Sequence, residues 1–141
     1  MATSTIPALK NELATRLAAR SGLAGVQVSY GWPVGAVLRE HIMVGGADGS
    51  QEYRAIGAQH RFEEYTLTIF VNVLREGGQQ QTCDERCFAL MSELEAELRS
   101  DPTVGNTVLT AEVATINLES LANDASREAR LKVGVRVQAR I

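Results

Sequence analysis

From Arg127 to Ile141 apolar and polar residues alternate almost without a fault. Ala129, Leu131, Val133, Val135, Val137, Ala139 and Ile141 fall on one side, and Arg130, Lys132, Gly134, Arg136, Gln138 and Arg140 on the other. That is the two-residue period of a strand with one buried face. At ~3.3 Å per residue such a strand is about 50 Å long, against a usual roughly 5–6 residues. A domain of this size is expected to leave part of it uncovered, for another molecule to shelter. The alternation recurs from Phe62 to Glu76, with Tyr65, Leu67, Ile69, Val71 and Val73 on one face. The opposite face, Glu64, Thr66, Thr68, Phe70, Asn72 and Leu74, is mixed. Phe70 and Leu74 there are expected to meet a second layer or another subunit.

Helical spacing appears twice. Ile6, Leu9, Leu13 and Leu17 predict a helix from about Pro7 to Arg20, with Ser4 or Thr5 as cap, Pro7 in the first turn and Ser21-Gly22 as the end. Cys87, Leu90, Met91, Leu94 and Leu98 form the stripe of a second helix, opened by a Thr82 to Glu85 capping box and stopped at Asp101-Pro102. Val26 to Tyr30 and His41 to Val44 read as short strands around a Gly-Trp-Pro-Val-Gly bend. Val108 to Leu121 reads as a longer strand whose period wavers near Ala114 to Asn117, at a bulge, and Asn123 to Ser126 turns it into the final strand. Gly45 to Arg61 holds four glycines and no clean period, so it is expected to be a long connection with one added piece of strand around Tyr53 to Ile56. The order α-β-β-β-α-β-β predicts an α+β fold, a mostly antiparallel sheet of four to five strands with two helices on one face, in one domain over residues 1–141.

Composition changes this picture little. The chain has 141 residues, 45% hydrophobic and 22% charged, which suits a single globular domain. A net charge of -3 speaks against a general nucleic-acid binder. Neither a signal-peptide core in Met1 to Arg20 nor an apolar run of about 18 residues occurs, so a cytosolic, membrane-free protein is expected. Two cysteines make no disulfide framework.

Candidate chemistry is sparse. His41 and His60, the only histidines, have no local nucleophile or orienting partner and are expected on the solvent side or in loops. Cys83 and Cys87 lie four apart on a helix, too few thiolates for a zinc site. The position of Cys83 near a helix N-terminus would favour a reactive thiolate, whereas Cys87 belongs to the core. Gly45 to Gly49 is a lone glycine-aspartate turn without the stacked copies that calcium sites of that kind need. Walker and dinucleotide-binding motifs are missing. No enzyme, metal or cofactor is expected.

The basic residues of the final strand admit two readings. They are the solvated face of an edge strand, where Lys and Arg discourage unwanted pairing. Or they oppose acids on a neighbouring strand or subunit, with Glu63, Glu64 or the helix carboxylates as partners.

Gln51-Glu52-Tyr53-Arg54-Ala55-Ile56-Gly57-Ala58, continuing through Arg61 and Glu63 to Leu67, resembles a stretch of small tail proteins from phages and prophages of actinobacteria. So do Glu85 to Leu90, Glu93 to Glu95, Leu98-Arg99, Asp101 to Thr103 and Val135 to Ile141. Over residues 6–141 the pattern is similar to the tail terminator, or tail-completion, family of long-tailed phages. That resemblance implies a non-enzymatic virion protein, assembled in the host cytoplasm into a homo-oligomeric ring, a hexamer, on the head-proximal end of the tail tube. The ring would end tube polymerisation and offer a surface for head-tail joining, with the tube protein and connector proteins as partners and DNA only passing through the lumen. A net negative charge suits that passage. The candidate subunit or tube contacts are Gln51, Glu52, Tyr53 and Arg54 in the glycine-bearing loop, Phe70 and Leu74, and Arg130, Lys132, Arg136 and Arg140. A head-tail connector or minor tail protein of the same ring-forming type is the alternative within this class. A small cytosolic ligand-binding or enzymatic α+β domain is the alternative outside it, and would need a lined pocket.

Overall fold

The computed structural model describes residues 3–53 and 61–141. Its elements run α1 (Ile6–Ala18), a short 3-10 turn (Ser21–Leu23), β1 (Gln27–Tyr30), β2 (Glu40–Tyr53), β3 (Arg61–Glu76), α2 (Gln80–Ser100), β4 (Thr110–Ala122) and β5 (Ser126–Arg140). The strands form one sheet in the order β1-β2-β3-β5-β4. Among the described residues the β1–β2 pair is parallel and the other pairs are antiparallel. The fold is therefore the expected α+β arrangement, with both helices on one face.

The apolar stripes meet there. Leu9, Leu13 and Leu17 of α1 and Cys83, Cys87, Leu90, Leu94 and Leu98 of α2 join Leu67, Ile69, Val71 and Val73 of β3 and Leu131, Val133, Val135 and Val137 of β5 in one buried core. The expectation that β5 outruns its shelter is overturned. Every core-facing residue from Ala129 to Ala139 is fully buried. α2 is 21 residues long, about 30 Å at 1.5 Å per residue, so with α1 it covers a strand that no average helix could. The length of β5 is not in itself evidence of assembly. Nor is β5 an edge strand, since it lies between β3 and β4.

A charged lattice ties the helices together outside the core. Arg20 pairs with Glu93 and Glu97, each at 2.7 Å, and Arg16 pairs with Glu12 and Asp101, each at 2.9 Å. Asp101 also receives the Thr103 hydroxyl and the Gly105 N–H. These hydrogen bonds, with Arg16 nearby, hold its pKa at about 2. This fixes the turn that ends α2 and starts the approach to β4.

Two strands depart from their expected bounds. Gly45 to Tyr53 is not a connection but the continuation of β2, paired with β3 as far as Tyr53↔Arg61. Its residues are mainly glycine and polar, so no hydrophobic period marks it. Gly45 and Gly46 stand against the single residue Thr68 at a bulge, where an added Cβ on Gly45 would crowd the Thr68 carbonyl oxygen. The rest of the expected segment, with Arg54, the strand piece to Ile56 and His60, lies outside the described residues. In β4 the register slips between Val113 and Thr115, inside the region where the sequence period wavers.

The helix starts differ as well. α2 begins at Gln80 without a side-chain cap, so the Thr82 to Glu85 box does not form. Instead the Gln80 side-chain amide donates to Asp84 and to the Glu128 carbonyl of β5, and that of Gln81 donates to Glu85. The first turn is pinned to the sheet three residues earlier than expected. At α1, Ser4 Oγ accepts from the Ile6 N–H at 3.1 Å. Glu63, reaching up from β3, accepts from the Thr5 N–H and hydroxyl.

Candidate assembly interface

The helix-free face of the sheet carries the residues that burial does not explain. Along β3 this face presents Phe62, Glu64, Thr66, Thr68, Phe70, Asn72 and Leu74, and along β5 Glu128, Arg130, Lys132, Gly134, Arg136, Gln138 and Arg140, in register from Phe62↔Arg140 to Leu74↔Glu128. Cross-strand neighbours give the basic stripe its partners. Arg130 stands opposite Glu119 of β4 and Arg136 opposite Glu112. Arg130 also pairs with Glu128 on its own strand at 2.8 Å. Such pairs contribute about 0.2–1 kcal/mol each. Lys132 and Arg140 have neutral cross-strand neighbours, Phe70 and Asn117 for the first and Phe62 for the second.

The acids expected to meet the stripe are placed otherwise. Glu63 lies on the core side, 3% exposed, as the cap of α1. Glu64 sits beside Gln138. The helix carboxylates are on the far face of the sheet.

Phe70, Arg130 and Lys132 come together around a depression of about 420 Å³, with Trp32, His41, Met43, Asn72, Asn117 and Glu119. His41 is buried rather than solvent-facing, because β2 carries it under the loop that follows β1. Its Nδ1 lies 3.4 Å from the Leu38 carbonyl and its Nε2 3.2 Å from the Asn72 side-chain nitrogen. The consistent assignment puts the proton on Nδ1, with Asn72 donating to Nε2. Burial pushes the pKa of His41 down. Asn72 Oδ1 is then a buried acceptor without a donor.

The other expected contact residues are spread out. Leu74 lies at the opposite end of β3 from Phe62, about 40 Å away at ~3.3 Å per residue. Gln51, Glu52 and Tyr53 end the β2 extension. Gln51 serves the fold, donating to the Thr3 carbonyl and to Glu63 and accepting from Arg61. Tyr53 is exposed.

Cys83 is not poised for chemistry. It is buried and its thiol donates to the Val73 carbonyl at 3.2 Å, and burial raises its pKa. Cys87 is buried beside it, its pKa pushed up by burial to about 12.

Sequence reasoning passed over the loop between β1 and β2. Ser21 to Leu38 contains no charged residue, yet Tyr30, Trp32, Val34, Val37 and Leu38 are exposed there. Gly31 and Gly35 hold positive φ values of 73° and 89°, which shape a turn that other residues would strain. The signal was available: an uncharged run of this length that holds the single Trp in a Gly- and Pro-bearing bend.

No helix among the described residues is long and apolar enough to cross a membrane. No family profile and no curated protein matches the sequence. Among solved structures, a chain from the virion of a native gene transfer agent particle is similar, with a TM-score of 0.55 over 98% of this chain and 100% of that one, at 15% identity. At that identity the shared property is the fold, which extends over the whole length of both chains.

Proposed function

We propose that the chain is a structural virion protein that assembles as a ring on the head-proximal end of a phage tail tube, where it ends tube polymerisation and receives the head. The observation that carries this reading is the end-to-end likeness to a virion chain of a gene transfer agent particle, together with the sequence pattern of the tail terminator family. A role without catalysis agrees with what the polar residues do. The buried Glu63 caps a helix, and the buried cysteines hydrogen-bond the sheet backbone. In such a ring a heterologous contact repeats until it closes, as a hexamer in this reading, leaving one surface for the tube and another for the connector. The stripe of Arg130, Lys132, Arg136 and Arg140, the Phe70 depression and the exposed end of β2 at Tyr53 are the surfaces offered for these contacts.

Gold labelling of the protein in electron micrographs of particles tests the placement. Label at the head-tail joint supports it, and label at the distal tip or over the capsid overturns it. Co-purification separates the two ring-forming roles: tube protein marks a terminator, and connector protein alone marks a head-side component.

A further inference from the structure

Exposed apolar side chains gather at two opposite edges of the sheet. At the β1 edge stand Tyr30, Trp32, Val34, Val37 and Leu38, with Trp32 73% exposed and Val34 fully so. Taking about 150–250 Å² for each large side chain, this loop offers roughly 600 Å² of residue surface. A monomer seldom leaves more than a few hundred Å² of contiguous apolar surface open, and a standard interface needs about 800 Å² per partner. The loop alone approaches one side of a stable contact.

At the other edge β4 has no strand on its outer side. Between the start of β4 and the last turns of α2 lies a groove of about 480 Å³, lined by Leu98, Pro102, Ala111 and Val113 with Glu95, Arg99 and Glu112 around them. That volume takes a ring system of indole size. An indole seated there would lie on an apolar floor beside the Glu95–Arg99 ion pair, whose guanidinium can face its ring. The loop brings no charge, so it loses no ionic hydration on entry, and the groove keeps its charges at the rim, the division usual in protein interfaces.

Resting on the ring reading above, we propose that the Trp32 loop of one copy seats in the α2–β4 groove of the next. The two surfaces stand four strand spacings apart, about 19 Å at ~4.8 Å each, so a chain cannot fill its own groove. Each copy carries one plug and one socket. Such a contact is heterologous and propagates from copy to copy, closing where the rotation closes.

The test uses the full chain with Val34→Cys and Arg99→Cys together, Arg99 lying exposed at the groove on the α2 side, since Cys83 and Cys87 are buried. Mild oxidation should give a ladder of disulfide-linked oligomers on a non-reducing gel, while each single variant should remain a monomer. Trp32→Ala should raise the dissociation constant between copies at least about tenfold, as loss of a central aromatic anchor does, without changing the circular dichroism spectrum. Absence of the ladder, efficient dimers from Val34→Cys alone, or a Trp32→Ala variant with unchanged native mass would each overturn the contact. A ring that survives these variants would leave the ring reading standing and refute only this surface, because the terminator role is judged separately by tail length.

Discussion

Glu63→Gln is expected to destabilise the protein by about 2 kcal/mol at pH 7. The carboxylate is 3% exposed and stands at the N-terminus of α1. It accepts from the Thr5 N–H at 3.1 Å, the Thr5 hydroxyl at 2.9 Å and the Gln51 side chain at 2.7 Å. Losing its charge beside the first turn costs about 0.5–1 kcal/mol. Replacing charge-assisted hydrogen bonds with neutral ones, and setting one amide against the Gln51 amide, costs about 1 kcal/mol more. At this chain length the two together lower the melting temperature by about 6 °C. Burial alone would raise the Glu63 carboxyl pKa, but hydrogen bonds from Ser4, Thr5 and Gln51 outweigh it and the net direction is down. A depressed folded pKa means that the unfolded chain binds the proton more readily. The stabilisation is therefore complete above the unfolded value of about 4.3 and is lost as pH falls through the folded one. Urea unfolding of both proteins at equal concentration from pH 7 to pH 3 measures this. The gap should narrow below about pH 4. A variant within about 0.5 kcal/mol of the parent at pH 7, or a gap constant across the range, would refute the assignment of Glu63 as the charged cap.

Three further outcomes follow from the geometry. Gly49→Ala should cost about 2 kcal/mol or more, because an added Cβ would overlap the Glu64 carbonyl oxygen and the Tyr65 Cα, backbone that cannot step aside; thermal unfolding checks it. Cys83 and Cys87 should be inert to an aromatic disulfide reagent at pH 8 in the folded protein and both react in denaturant, given their burial and raised pKa values. Arg136→Glu with Arg140→Glu should leave the fold intact, at a cost of about 1 kcal/mol for the like charge facing Glu112. It should reduce native oligomer mass or binding to tail tubes, and unimpaired assembly would return the stripe to a solvated surface.

Period carried most of the fold. β3, β5 and both helices were legible because each lays one apolar face on the core, and the slip in β4 showed as a break in its alternation. β2 beyond Val44 was not legible, because polar residues and glycines stand there in place of an apolar alternation, with two of the glycines where the chain bulges. The partners of the basic stripe were hidden for another reason. Glu112 and Glu119 meet Arg136 and Arg130 only once β4 is set beside β5 in a register that includes the slip. Glu63 looked like a surface acid because its value depends on the start of α1, 58 residues away in sequence, which lies above it. Phe70 was recognised as out of place on its face, whereas His41, which shares its depression, belongs to another segment and had no local mark. The reach of β5 pointed to assembly for a reason that failed, since α2 shelters it. The exposed loop at Trp32 and the open edge of β4 now bear that weight.

The most direct test of the account is the length distribution of tails made in cells lacking this protein, imaged by electron microscopy. The account predicts tails without heads and of uncontrolled, excessive length, restored to one length by the natural chain supplied in trans. Tails of normal length joined to filled heads in its absence would contradict it.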